Sequence, residues 1–265
     1  MVIFITGISS GFGLETARLL SREGHVVYGT VRREVEPLPQ VNYLRVDVRD
    51  PQAVQEAVRQ IVEKEGRIDV LVNNAGMGVG GPLEFATEEE VRLQMDTNFM
   101  GLVHCVDAVL PYMRKQGSGK IVALSSIGGL MGLPFQGFYS ASKFAIEGYC
   151  EALRMETRAM GIKVVVVRPG DFSTGFTGSR KKVEDEEALE AYPIYKTAIE
   201  KVEHDERGGL KPVALARRIS KIIRCRNPRN GYVVASLEQR LSVWLKRVLP
   251  SKWFERILRS YYMLS

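Results

Sequence analysis

The first twenty-two residues constrain the fold more than any other stretch. Val2 to Ile5 is a short apolar run, Thr6-Gly7-Ile8-Ser9-Ser10-Gly11-Phe12-Gly13 is a glycine turn, and Leu14 to Arg22 is an amphipathic pattern. The reading is strand, turn, helix. Glycines here permit backbone conformations that a Cβ forbids, and they let a pyrophosphate approach the amides at the helix start. Gly7, Ser9, Ser10, Gly11, Phe12 and Gly13 are therefore candidate contacts for a dinucleotide.

The same alternation continues. Strands are expected at Val26–Val31, Tyr43–Val48, Val70–Val72, Ile121–Leu124, Lys163–Arg168 and Tyr232–Ala235. Helical patterns are expected from Pro51, over Glu88–Arg114 with a possible break near Gly101, from Tyr139 to about Met160, and from Pro212 to before Asn227. Alternating strands and helices predict an α/β fold. Residues 175–210 are a charged excursion inside this pattern, expected to act as a substrate lid because so long a connection in a compact domain is usually functional.

A length of 265 residues with 45% hydrophobic content suits one large α/β domain. Cys105, Cys150 and Cys225 have no paired spacing and no C-x-x-C, which predicts reduced thiols in a cytoplasmic setting. No run reaches membrane-spanning length, and Met1-Val-Ile-Phe lacks a basic leader, so the protein is expected to be neither secreted nor membrane-spanning. Only His25, His104 and His204 are available, and no metal site is expected. The net charge is +6, of which +4 falls between Leu237 and Ser265. Cations gathered in a tail, not along a groove with aromatic platforms, argue against nucleic acid. That tail carries two apolar helical stripes parted at Pro250, Leu237 to Val248 and Trp253 to Tyr262. Two roles stay open: peripheral contact with an anionic membrane, or packing over a substrate pocket or a second subunit.

The chemistry gathers between Ser125 and Lys143. Tyr139 and Lys143 stand at i and i+4, so on a helix they share a face. A free phenol titrates near about 10 and is sluggish at neutral pH; a neighbouring ammonium is expected to lower it. Ser126, thirteen residues before Tyr139 at a strand end, can hold a substrate oxygen against the phenol. At the end of the second strand, where NAD-preferring folds place an acidic side chain, Val31 is followed by Arg32. A cation there favours a 2′-phosphate, so NADPH is expected over NADH.

Tyr139-Ser-Ala-Ser-Lys143 with Ser126 upstream resembles the active-site segment of the classical short-chain dehydrogenase/reductase family. The spacing Gly7-x-x-x-Gly11-x-Gly13 matches that family's glycine turn, and Asn73-Asn74-Ala75-Gly76 its second signature. The resemblance implies a Rossmann-type three-layer α/β/α sandwich, with a doubly wound parallel sheet of about seven strands over residues 1–236 and a helical extension over 237–265. It implies that Asn98, Ser126, Tyr139 and Lys143 are catalytic, Asn98 holding a water that relays protons to the lysine. It places Asp47 and Val48 at the adenine, Asn74, Ala75 and Gly76 beside the cofactor, Pro169 and Gly170 over the nicotinamide, and Thr174 at the carboxamide. Asp47 reads equally as the N-cap of the helix from Pro51. The run Gly128 to Phe135 looks like the estradiol 17β-dehydrogenase and retinol dehydrogenase branch, which implies a bulky apolar alcohol or ketone of steroid, retinoid or lipid type. A ketoacyl or keto-sphingoid reductase shares every motif, and an NADP-binding regulator without turnover is the rival from another class. A homodimer or homotetramer is expected from the apolar surplus on the helix around Leu102 to Leu110.

Overall fold

The computed structural model describes residues 1–264. In chain order the elements are β1 (Val2–Ile5), α1 (Gly11–Arg22), β2 (Val26–Val31), β3 (Val41–Arg45), α2 (Pro51–Glu65), β4 (Val70–Asn73) and β5 (Val79–Gly80). Then come α3 (Glu88–Met95), a π-helical turn at Asp96–Met100, α4 (Gly101–Gln116), β6 (Gly119–Leu124), α5 (Gly137–Thr157) and β7 (Ile162–Pro169). The last third holds α6 (Phe176–Ser179), β8 (Lys181–Lys182), α7 (Glu186–Ala191), α8 (Ile194–Gly208), α9 (Pro212–Arg224), β9 (Gly231–Val234), α10 (Leu237–Val248) and α11 (Ser251–Tyr261).

Seven strands form one parallel sheet in the order β3-β2-β1-β4-β6-β7-β9. Its central strands read as unbroken apolar runs because both faces are covered. On β1, Val2 and Phe4 face α2, α4 and α5, packing with Val58, Val106 and Ile146. Ile3 and Ile5 face α1 and α9, packing with Leu20, Leu215 and Ile219. The strand order reverses between β1 and β4, and the crevice at their carboxyl ends is where such sheets bind ligands.

Four expectations are revised. The third strand ends at Arg45, and the chain beyond it is held by the Val46 amide donating to Val31 O. The N-cap of α2 is Asp50, whose carboxylate accepts from the Gln52 and Ala53 amides, so Asp47 has no capping role. The break in the long helix is a π-turn centred on Asn98, ahead of Gly101. The excursion after Gly175 is mostly helical, with β8 pairing in parallel to β5. No helix among the described residues is long and apolar enough to cross a membrane.

Candidate active site

The glycine turn needs its glycines. Gly7 and Gly11 lie in the left-handed region, at φ 70° and 58°. A Cβ on Gly13 would stand 2.1 Å from Gly7 O and 2.6 Å from Asn74 Nδ2. The turn is clamped to β4 by Asn74 Nδ2, which donates to the carbonyls of Thr6 and Gly7 at 2.8 Å, and by Thr6 Oγ1, which accepts from the Asn74 and Ala75 amides. Ser9 and Ser10 are exposed. The Ser10 side chain caps nothing, leaving the first amides of a twelve-residue helix without a side-chain acceptor. A cradle that a Cβ would fill, next to uncapped helix amides, fits a dinucleotide pyrophosphate. Thr174 reaches the same turn, its Cβ 3.6 Å from where a Gly11 Cβ would be.

Further along the crevice, Arg32 is exposed one residue past β2. Hydrogen bonds from Arg49 hold the Asp47 carboxyl below its usual range, and the charge of Arg32 adds to them. Val48 is buried against Gly101, and its carbonyl lies 2.9 Å from His104 Nδ1. His104 is thus a packing residue, as its apolar setting suggests.

At the centre, Ser126 ends the β6 run and Tyr139 and Lys143 lie on the first turns of α5, all three lining one cavity. The Ser126 hydroxyl accepts from the Gly128 amide at 3.0 Å. Lys143 is 6% exposed; its Nζ donates to Leu124 O at 2.9 Å and stands 5.7 Å from the centre of the Tyr139 ring. Burial pushes the phenol up to about 12 against a hydrogen bond with Ser126 that lowers it. Burial likewise brings the Lys143 amine down to about 8, with Glu147 opposing. Burial thus moves the phenol, in the protein alone, in the direction opposite to the one expected from a neighbouring ammonium. A raised phenol favours the protonated form, the form that can give a proton to a ketone oxygen.

Asn98 sits behind this set and does not line the cavity. Its Oδ1 accepts from the Met77 amide at 2.8 Å, and its Nδ2 donates to Met77 O and Ser142 Oγ at 3.0 Å. A π-turn frees backbone partners and widens the helix locally, which lets an internal asparagine tie three elements together. Gly76 fills the gap: a Cβ there would lie 3.3 Å from Asn98 Oδ1 and 3.7 Å from Lys143 Nζ.

The cavity measures about 700 Å³ and runs from Asn74, Gly76 and Phe12 past Pro169, Gly170 and Thr174 to the C-terminal helices. Four carboxylates that sequence reading missed line it: Asp171, Asp205, Glu206 and Glu238. Burial, then Glu206 and Asp205, raises the Asp171 carboxyl to about 6. Asp205 and Glu206 belong to a charged run on α8 that reads as solvated; only the packing of α8 turns it inward. Glu206 accepts from Thr177 Oγ1 at 2.6 Å and pairs with Arg180, whose side chain is 1% exposed. Phe254, Leu258 and Tyr262 close the far wall, so the extension packs over the pocket.

A family model described as short chain dehydrogenase matches residues 1–185. The chain is 50% identical over 264 residues to a 3-ketodihydrosphingosine reductase of Bacteroides thetaiotaomicron, covering 99% of this chain and 98% of that protein. It is 41% identical over 191 residues to human 17-beta-hydroxysteroid dehydrogenase type 1, covering 66% of this chain and 58% of that one. A short chain dehydrogenase/reductase from Burkholderia phymatum, solved in complex with NAD, superposes with a TM-score of 0.81 at 26% identity over 92% of both chains. The segment matched by the family model carries every residue from Gly7 to Thr174 described above, and the chain accordingly belongs to the short-chain dehydrogenase family of oxidoreductases.

Proposed function

We propose that the protein is an NADPH-dependent reductase of a long-chain amino ketone of the 3-ketosphingoid type. The observation that carries this reading is the company the phenol keeps: one cavity holds a tyrosine able to protonate a ketone oxygen and a carboxylate, Asp171, that no salt bridge among the described residues neutralises and that can receive an ammonium group. Asp205 and Glu206 already have partners, Lys201 and Tyr261 for the first and Arg180 and Thr177 for the second, so the ammonium falls to Asp171; a steroid or retinoid ketone gives that carboxylate nothing to pair with, and desolvating it then costs binding. The likeness to the Bacteroides reductase, which spans both chains almost completely, supports the same substrate class.

When bound, the reduced nicotinamide supplies a hydride to the carbonyl carbon. Ser126 and Tyr139 receive the carbonyl oxygen between their hydroxyls, and Tyr139 gives it the proton. Loss of that proton leaves a phenolate, which the Lys143 ammonium beside the ring stabilises. Lys143 would also hold the ribose, and Asn98 would support a water that returns the proton. Arg32 would hold a 2′-phosphate, the basis for expecting NADPH over NADH.

The test is a coupled NADPH-oxidation assay with 3-ketodihydrosphingosine, its N-acetyl derivative, a long-chain ketone without the amine, and a steroid ketone, with NADH in parallel. The amino ketone should have the highest kcat/KM, by at least about tenfold, the worth of one retained charge contact. Equal rates with the acetylated compound would sink the ammonium assignment, and a preference for the steroid would favour the hydroxysteroid reading instead. The direct test of the mechanism is Tyr139→Phe, treated below.

A further inference from the structure

The last two helices are amphipathic in the unusual sense that their outward faces are apolar. On α10, Leu237, Leu241, Trp244 and Val248 recur at helical spacing and are all exposed, Leu237 by 80% and Trp244 by 57%. On α11, Trp253, Ile257 and Tyr261 form a second exposed stripe, Trp253 by 69%. The inward faces are satisfied separately: Val243 and Phe254 are buried against Met131. Six cations, Arg240, Lys246, Arg247, Lys252, Arg256 and Arg259, stand on the same pair of helices against Glu238 and Glu255. Lys246 Nζ lies 5.1 Å from the Phe254 ring centre, its stem covering apolar surface while the charge stays at the edge. Two of the outward residues, Ile257 and Tyr261, also line the catalytic cavity, so the apolar face is continuous with the cavity wall.

We infer that this pair of helices docks on an anionic lipid surface, with the cavity opening towards the bilayer. Exposed tryptophans and leucines flanked by lysine and arginine are the composition of helices that lie in the interface plane, where apolar burial and attraction to anionic headgroups act together. A second copy of this chain is the competing occupant, and it is disfavoured by charge: two such faces brought together would oppose +4 to +4. The opening gives a long-chain substrate a route from the bilayer to Tyr139 without crossing water. The inference goes beyond the reductase reading and does not need it, because lipid binding can be measured without turnover.

The chain has two tryptophans, and both stand on this face, so intrinsic fluorescence reports on it alone. The experiment titrates the full-length protein with vesicles of phosphatidylglycerol and phosphatidylcholine in equal parts, and with phosphatidylcholine alone, at low and high salt. The expected result is pelleting with the anionic vesicles, a blue shift of emission, quenching by lipids brominated on their chains, and release by salt. Trp244→Ser with Trp253→Ser, and separately Lys246→Glu with Arg247→Glu, should each weaken pelleting at least about tenfold while NADPH binding shows that the variants fold. None of these four residues lines the cavity, so turnover of a short water-soluble ketone should be unchanged. Absence of pelleting and quenching would overturn the inference. So would emission already blue-shifted without lipid in a particle that light scattering shows to be a dimer and that the Trp244→Ser, Trp253→Ser variant breaks.

Discussion

Tyr139 and Lys143 share a buried corner, and burial acts on them in opposite senses: it keeps the phenol protonated and disfavours the ammonium. For carbonyl reduction the first effect is useful, since the acid must hold its proton until the hydride arrives. Tyr139→Phe removes only that proton donor. Turnover should fall by about 10²–10⁴, while NADPH affinity measured by fluorescence stays close to wild type; a variant retaining near-normal turnover would remove Tyr139 from the mechanism. The lysine is held at a cost. A fall from 10.5 to about 8 corresponds to about 3 kcal/mol at neutral pH, and the hydrogen bond to Leu124 O returns about 1 kcal/mol. The sign follows from proton counts. Below pH 8 the folded and unfolded lysines are both charged and the folded state bears the full cost; between about 8 and 10.5 only the unfolded lysine keeps its proton, so stability rises with pH across that window. Lys143→Met should therefore stabilise the protein by about 1–2 kcal/mol at pH 7 and flatten that rise, at the expense of catalysis. Denaturant melts at pH 7 and pH 9.5 check both statements.

At the scale of elements, the segment from α6 to α8 has one deeply buried ion pair among its anchors. Arg180 is almost completely buried, and its Nε and Nη1 have no partner among the described residues, which leaves Glu206 as its one ionic contact. Glu206 also receives the Thr177 hydroxyl, joining α6 to α8 beside the phenol. Removing one member of a buried pair leaves an uncompensated charge, worth about 3–5 kcal/mol. Glu206→Gln keeps the shape and removes the charge, so residues 175–210 should open more readily than the rest. Hydrogen exchange should show faster exchange in α6 and α8 with β1 to β4 unaffected; uniform change, or none, would mean that Arg180 is not the anchor. A raised KM with little change in NADPH affinity is the matching kinetic signature of a lid.

On the scale of the whole molecule, the apolar surplus expected on the helix around Leu102 to Leu110 is mostly spent inside, with Leu102, Val106 and Val109 all in the core. What remains outside on the neighbouring α5 is Phe144 and Met155. A homodimer is expected across that face, by light scattering in solution, and Phe144→Lys with Met155→Lys should yield monomers that still bind NADPH. A dimer unaffected by those substitutions would place the contact elsewhere.

The sequence by itself determined the sheet, the glycine turn and the spacing of the candidate site, because each is written in local terms. Strand runs such as Ile121–Leu124 are apolar throughout, Gly13 leaves no room for a Cβ beside Gly7 O, and the i to i+4 step from Tyr139 to Lys143 is a property of any helix. Only the tertiary structure decided the rest. Asp205 and Glu206 look like a solvated charge run until α8 packs them into the cavity wall. Asp47 read equally as a cap and as an adenine contact until the chain path gave the cap to Asp50. The phenol's shift runs opposite to what its neighbour suggested because burial, which depends on every element around the site, is the largest influence on it. The two C-terminal helices combine both cases: their apolar periodicity is legible residue by residue, but which stripe meets the protein and which meets its surroundings is fixed only by where the core lies.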